Sequence, residues 1–321
     1  MDPFFESLPF WLNLLFFFLG VGAVIKGADW FTDGSVGIAD ATGIPKIFIG
    51  ATIVSLATTT PEVSVSWIAA YLGHPDTSVG NAVGSTICNI GLILAVASAI
   101  QGIKIPRTRV RVHGLFMLIV GVVLVFLSWD GQLERREGFF LLVGTVLYLW
   151  VMVRQSGWGS GMYERENESH DLGRIARNFT FGGVCVVGGS VLIVQNATIF
   201  ARAAGVSELL IGLTLVALGT SLPELITAVS SSIRGHGDIA VGNVIGANIL
   251  NITLVLGGAA FIAPLNIERQ MFLLDYPTML FLMGLVLLLA VLRGKVGRTG
   301  GLILVSIYVS YLLSLVLFFS V

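Results

Sequence analysis

The stretch "GATIVSLATTTPE" at 50–62 recurs 162 residues later as "GLTLVALGTSLPE" at 212–224, and this recurrence decides the fold. The same offset joins "GHPDTSVGNAVGSTICNIGLIL" at 73–94 to "GHGDIAVGNVIGANILNITLVL" at 235–256. Over 50–94 and 212–256 the copies agree at 19 of 45 positions without a gap. Shared leucines would prove little between two apolar segments. The agreement instead includes Pro61 and Pro223, Glu62 and Glu224, His74 and His236, Asp76 and Asp238, Asn81 and Asn243, and Asn89 and Asn251. These are the residue types that are costly in an apolar setting. An offset of 162 is close to half of 321 residues, so the repeat organises the whole chain.

That setting is a membrane. Hydrophobic residues make up 55% of the chain and charged residues only 12%, with 18 Lys or Arg against 19 Asp or Glu and a formal net charge of -1. Mean hydropathy is +0.91. Soluble domains are typically about 25% charged, and no soluble interior could hide so much apolar surface. The composition excludes a water-soluble enzyme, a secreted disulfide scaffold and a nucleic-acid binder. Cys88 and Cys185 both lie in apolar runs and say nothing about compartment.

Apolar runs fall near 10–33, 44–71, 77–100, 110–129 and 137–154, then near 177–201, 206–233, 239–263, 271–291 and 299–321. They are too long for barrel strands and read as ten transmembrane helices. The leading segment "MDPFFESLPF" carries Asp2 and Glu6 and no basic residue, so the first run reads as a retained span and not a cleavable signal. Five spans per copy is an odd number, so the second copy must start on the opposite side of the membrane. The expected fold is therefore an all-α polytopic membrane protein with two inverted five-helix repeats, 1–156 and 177–321, joined by a polar linker at 157–176.

With the amino terminus outside, the inward loops carry Lys46, Lys104, Arg107, Arg109, Arg111, Arg154, Arg165, Arg174, Arg177, Arg234, Arg293, Lys295 and Arg298. The outward loops carry Arg135, Arg136, Arg202 and Arg269. This bias predicts a cell-membrane protein with both termini outside and a cytoplasmic linker. Inverted repeats give one chain two states of similar energy, open to opposite sides, with substrate held near the midplane. A transporter is thus expected before any motif is compared with a family.

The repeated polar residues suggest the cargo. Proline removes a helical hydrogen bond, which frees carbonyls around Thr58 and Thr220 and places Glu62 and Glu224 at local breaks. Apart from Lys46 at the inward end of the second run, no basic residue occupies the second, third, seventh or eighth run to pair with them, so two symmetry-related acids suit a divalent cation. In "GNAVGSTICN", Ser85 and Asn89 share a helix face, and Asn251 mirrors Asn89 in "GNVIGANILN". The glycines of those segments allow close helix approach. Oxygen donors of this kind suit Ca²⁺. Asn81 and Asn243 are expected to cap or bridge broken segments, or to touch the ion, and Asp76 and Asp238 to cap the following helices. His74 and His236 read as turn or interfacial residues, with a proton-sensing gate as the sharper alternative. Lys26, Asp29 and Asp33 read as a local charge network on the first span.

At "GTSLPE" (219–224) and "GDIAVGNVIGANILNI" (237–252) the chain resembles the Ca²⁺/cation antiporter superfamily, especially prokaryotic sodium/calcium exchangers. The resemblance implies that Glu62 and Glu224 are central Ca²⁺ ligands, with Thr58 and Thr220 as carbonyl and hydroxyl contributors. It implies Thr59 and Ser221 as hydroxyl ligands for Na⁺, and Ser85, Asn89 and Asn251 as further ligands. It also implies alternating access, the first and sixth helices sliding over a more rigid core. Three departures stand out: Ala57 and Thr59 replace the usual glycine and serine, Ala247 replaces a frequent serine, and Asn251 stands where an aspartate can occur. The site therefore has two central acids.

The leading expectation is a secondary antiporter exchanging Ca²⁺ for Na⁺, with no cofactor, partnered by membrane lipid and inorganic cations. Ca²⁺/H⁺ exchange, prompted by the absent third acid, is the alternative, followed by exchange of another cation. A gated cation channel or a membrane sensor is the reading from a different class. Oligomeric state is not legible in the sequence.

Overall fold

The computed structural model describes residues 3–104, 107–155, 171–205 and 217–319. After a short turn at Pro3–Glu6, the first repeat begins with the long helix α1, Phe10–Thr42. Helices α2 (Lys46–Thr58) and α3 (Thr60–Tyr71) follow, bent by 45° at Thr59. Helix α4 runs Pro75–Cys88, becomes π-helical over Asn89–Leu94 and ends with Ala95–Gln101. Helices α5 (Arg107–Leu127) and α6 (Arg135–Gln155) complete the repeat. The second repeat answers with α7 (Leu172–Ala203), α8 (Ala217–Thr220), α9 (Leu222–Ile233) and α10, which runs Gly237–Leu250, is π-helical over Asn251–Leu256 and ends with Gly257–Ile262. It closes with α11, Tyr276–Arg293 after a π-helical start at Met271–Asp275, and with α12, Arg298–Phe319.

Seven of these helices are long and apolar enough to cross a membrane, and the bent α2–α3 pair makes an eighth. The shorter apolar helices Arg111–Leu127 and Leu222–Ile233 lie in the fourth and seventh of the ten expected spans. The protein is a multi-pass membrane protein. Burial is graded outward: 94% of the most apolar window of α10 is buried inside the protein, against 22% for α1 and for α12. The outer helices turn Phe126, Phe139, Phe140, Trp150 and Phe281 outward, as lipid contact requires.

The inversion is visible in the backbone. The α3–α4 and α9–α10 turns are both entered through a left-handed glycine, Gly73 at φ 83° and Gly235 at φ 81°. In each, the following histidine amide closes the turn, His74 N to Ala69 O at 2.8 Å and His236 N to Ser231 O at 2.7 Å. Four two-residue strands also lock the repeats together. Strand β1 (Ile103–Lys104) pairs antiparallel with β4 (Lys295–Val296), and β2 (Gln132–Leu133) pairs with β3 (Leu265–Asn266). Exchanging the repeats carries one pair onto the other.

Helices α1 and α7 form a unit of their own. A Cβ at Gly20 would lie 2.9 Å from Gly189 O, and one at Gly189 would lie 2.8 Å from Gly20 O. Gly27 and Gly182 repeat this, at 3.0 Å and 2.8 Å. Only glycine lets the two backbones cross so closely.

Several expectations change here. The first span is not 10–33 but a helix of 33 residues, and α7 has 32. Each is roughly 50 Å long and outreaches the ~30 Å hydrocarbon layer. The linker expected at 157–176 shortens at its far end, because Asp171 caps α7 by accepting from Arg174 N at 3.0 Å; residues 156–170 lie outside the described residues. The charge network on α1 recruits Arg234 from the α9–α10 turn and not Lys26. Arg234 pairs with Asp33, approaches Asp29 Oδ1 at 3.8 Å and donates to Asp29 O at 2.7 Å.

Candidate functional site

The site forms where the two breaks meet. Helix α2 ends at Thr58 and α3 restarts at Thr60; α8 ends at Thr220 and α9 restarts at Leu222. Pro61 and Pro223 sit in the first turns of α3 and α9, where a missing N–H removes no helical bond. These restarts are the local breaks expected at the two prolines. Lacking N–H groups, the prolines also leave the carbonyls of Ala57 and Gly219, four residues back, without helical donors. Glu62 and Glu224 fall in the first turns, at the positive end of each helix dipole.

Both carboxylates are buried, each 1% exposed. Their partners come from the opposite repeat. Thr59 Oγ1 donates to Glu224 Oε1 at 3.2 Å, and Ser221 Oγ donates to Glu62 Oε1 at 3.3 Å. Thr58 Oγ1 donates to Asn243 Oδ1 at 3.2 Å, and Thr220 Oγ1 to Asn81 Oδ1 at 3.2 Å. Each break is thus closed by its mirror image. Ser85 joins through its hydroxyl, 3.1 Å from Ser221 Oγ, whereas Ala247 has nothing to offer Thr59.

Asn89 and Asn251 stand at the first residues of the π-helical stretches of α4 and α10. At this site, among the described residues, four buried acceptor oxygens have no hydrogen-bond partner: Glu62 Oε2, Glu224 Oε2, Asn89 Oδ1 and Asn251 Oδ1. Orphaned acceptors in a dry interior are costly. They need a donor or a cation. Among the described residues no cluster of three or more His, Cys, Asp or Glu exists, so two acids and neutral oxygens are what this site offers.

The capping expectations are corrected. Asn81 and Asn243 lie well inside their helices and cap nothing. Asn81 instead ties α4 to α3 just after the break, with Nδ2 donating to Glu62 O at 3.2 Å and to Ser66 Oγ at 2.9 Å. Asp76 and Asp238 are not N-caps either. The caps are His74 and His236, neither of which makes a side-chain cap bond, and each aspartate falls within the first turn. Asp238 Oδ1 accepts only from the next amide, Ile239 N, at 3.1 Å. His236 is held below the usual imidazole range by partial burial and by the charge of Lys46. It is therefore neutral near pH 7. The glycines of α10 work as expected: Gly242 and Gly246 lie directly against the backbone of α2. A Cβ at Gly80 or Gly84 would meet nothing within 4 Å among the described residues, so the close approach expected at these two glycines is not made.

One site residue was not foreseen. Asn248 is fully buried and accepts from Asn89 Nδ2 at 3.0 Å. Its counterpart at the 162-residue offset is Thr86, so comparing the copies hides it.

Crossed broken helices around buried acids define the class: an inverted-repeat secondary transporter for cations. A family model described as "Sodium/calcium exchanger protein" matches residues 12–154 and 178–317. The inner membrane protein YrbG of Escherichia coli is 37% identical over 304 residues, covering 92% of this chain and 94% of the relative. The sodium/calcium exchanger MaX1 of Methanosarcina acetivorans is 30% identical over 345 residues, covering 95% and 98%. A structure of the sodium-calcium exchanger NCX_Mj, soaked with zero Na⁺ and Ca²⁺, superposes with a TM-score of 0.85 at 30% identity, covering 95% of this chain and 99% of that one. The chain belongs to the sodium/calcium exchanger family. It is a secondary active Ca²⁺/Na⁺ antiporter that works by alternating access, and not an enzyme.

Proposed function

We propose that Glu62 and Glu224 hold Ca²⁺ between them, and that Na⁺ competes for the hydroxyl and carbonyl oxygens at the two breaks. The four orphaned oxygens of Glu62, Glu224, Asn89 and Asn251 carry this reading. Two ionised carboxylates neutralise one Ca²⁺, and the amide oxygens contribute part of the six to eight ligands that it takes. Ser85, Thr58, Thr59, Thr220 and Ser221 supply further oxygens around the same centre. Mixed hydroxyl and carbonyl donors suit Na⁺ once Ca²⁺ has left.

Charge neutralisation also couples the two ions. Helices α1 and α7 move together across the site, and their apolar faces cover a neutral, loaded centre at little cost. An empty centre would leave two buried charges uncompensated, which is strongly unfavourable. Only a loaded site changes sides.

The orientation follows from the basic loops: both termini outside, with the α9–α10 turn and the linker preceding α7 in the cytoplasm. On that reading the end clamped by Arg234 is the cytoplasmic one. There α1 packs along α9, and Thr32 Oγ1 lies 3.4 Å from Ser231 Oγ. The mirror contact between α7 and α3 is marginal among the described residues, which on that orientation supports an outward-facing state.

The test is uptake of radiolabelled Ca²⁺ into proteoliposomes driven by a Na⁺ gradient. Glu62→Gln and Glu224→Gln should each abolish it; full flux in either variant overturns the site. The two-acid centre, with Asn251 in place of an acid, favours H⁺ as a second driver. Uptake under a pH gradient without Na⁺ would establish it.

A further inference from the structure

Asn89 presents two different edges. Its amide is planar, so wherever Nδ2 points, Oδ1 points to the other side. Nδ2 donates to Asn248 Oδ1 at 3.0 Å, which leaves Asn89 Oδ1 buried and without a hydrogen-bond partner. Asn89 also lies one turn beyond Ser85, on the face that reaches Glu62 through Ser221. A flipped amide would set Oδ1 against Asn248 Oδ1, oxygen to oxygen, and turn an NH₂ group toward a cation.

Asn248 is itself held. It is fully buried on α10, and its Nδ2 approaches Met117 Sδ of α5 at 3.7 Å. The mirror position is built otherwise: Thr86 gives its hydroxyl proton to Ala82 O, one turn back on its own helix, at 2.8 Å. It makes no corresponding bond to Asn251.

We infer that Asn248 is a positioning residue for Ca²⁺: it locks the Asn89 amide with its oxygen toward the glutamates. The inference rests on the reading of Asn89 as a ligand. It makes the centre unequal, with one amide oxygen fixed from α10 and the mirror amide of Asn251 free of that lock. Partners that orient a metal ligand typically change metal affinity by about tenfold or more when removed.

The test is Asn248→Thr, which installs the mirror residue and whose hydroxyl can bond back along its own helix, as Thr86 does. In Na⁺-gradient-driven Ca²⁺ uptake by the full chain, KM for Ca²⁺ should rise about tenfold with the maximal rate within about twofold. Asn89→Ala should raise KM at least as much, and the double variant should be no worse than Asn89→Ala alone. A purely structural role would instead add to Asn89→Ala, and that additivity overturns the inference. So does an unchanged KM in Asn248→Thr when Asn89→Ala raises it. If Asn89→Ala itself leaves KM unchanged, the ligand reading falls and the inference falls with it. Should Asn248→Thr yield too little folded protein for flux, the Ca²⁺-dependent rise in Tm of the purified variants gives the same comparison.

Discussion

The two repeats agree in backbone and differ in chemistry. Both break before a proline, both turn at a left-handed glycine, and both become π-helical at an asparagine, 89 in one and 251 in the other. Around the same skeleton, the pair Ser85 and Ser221 faces the pair Ala247 and Thr59. Each pair has four side-chain heavy atoms beyond Cα, but the second has one oxygen fewer, a methyl group standing in its place. Volume is conserved and a ligand is lost. Likewise, Asn248 replaces Thr86 and Arg234 replaces Leu72. Symmetry thus serves the two conformations, while asymmetry sets which ions bind and which side closes.

If the skeleton is truly shared, Glu62→Gln and Glu224→Gln should be equally damaging. Each should cut Na⁺-driven Ca²⁺ uptake by about a hundredfold or more, since each leaves the remaining buried charge and cation mismatched. A large difference between the two would break the equivalence. The crossing of α1 and α7 gives the next effect. Gly27→Val or Gly182→Val overpacks a backbone contact and should cost about 1–3 kcal/mol, read as a lowered Tm together with lost transport.

Smaller effects sharpen the chemical difference. Ser85→Ala should raise the Na⁺ concentration for half-maximal exchange by about fivefold, and Ala247→Ser should lower it, each being one hydrogen-bonding oxygen worth ~1 kcal/mol. The smallest effect falls on the clamp. Arg234→Gln removes a partly exposed ion pair with Asp29 and Asp33, worth at most ~1 kcal/mol. It should shift the balance of conformations up to about fivefold away from the state closed at the α9 end. Labelling of a cysteine placed in α9 would read that shift, and high salt should erase it.

Much of this was legible in the sequence because burying polar groups in a membrane is expensive. Glu62, Glu224, Asn89 and Asn251 stand out by being charged or amide residues in apolar runs, and their recurrence at one offset reveals the inversion. The bonds themselves were not legible. Thr59 serves Glu224 and Ser221 serves Glu62, and nothing local to either motif says that the partners are exchanged. Asn248 was hidden by the repeat comparison that exposed the others. The length of α1 was missed because Asp29, Asp33 and Asp40 look like the end of a span, yet a helix continues past the membrane once water can solvate such groups. Asp76 and Asp238 look like caps by composition, but the left-handed glycines fix each helix start two residues earlier.

The glycine crossing of α1 and α7 has a consequence for how such a chain can arise. Gly20 meets Gly189 and Gly27 meets Gly182, while the 162-residue offset equates Gly20 with Gly182 and Gly27 with Gly189. One patch therefore faces its own copy across a two-fold axis, which is the geometry of an isologous dimer interface. A half-length ancestor inserted in both orientations would already have carried a complete contact, and fusion of two copies would only have made it permanent. The same geometry doubles the exposure to mutation, because each glycine supports its neighbour's backbone as well as its own.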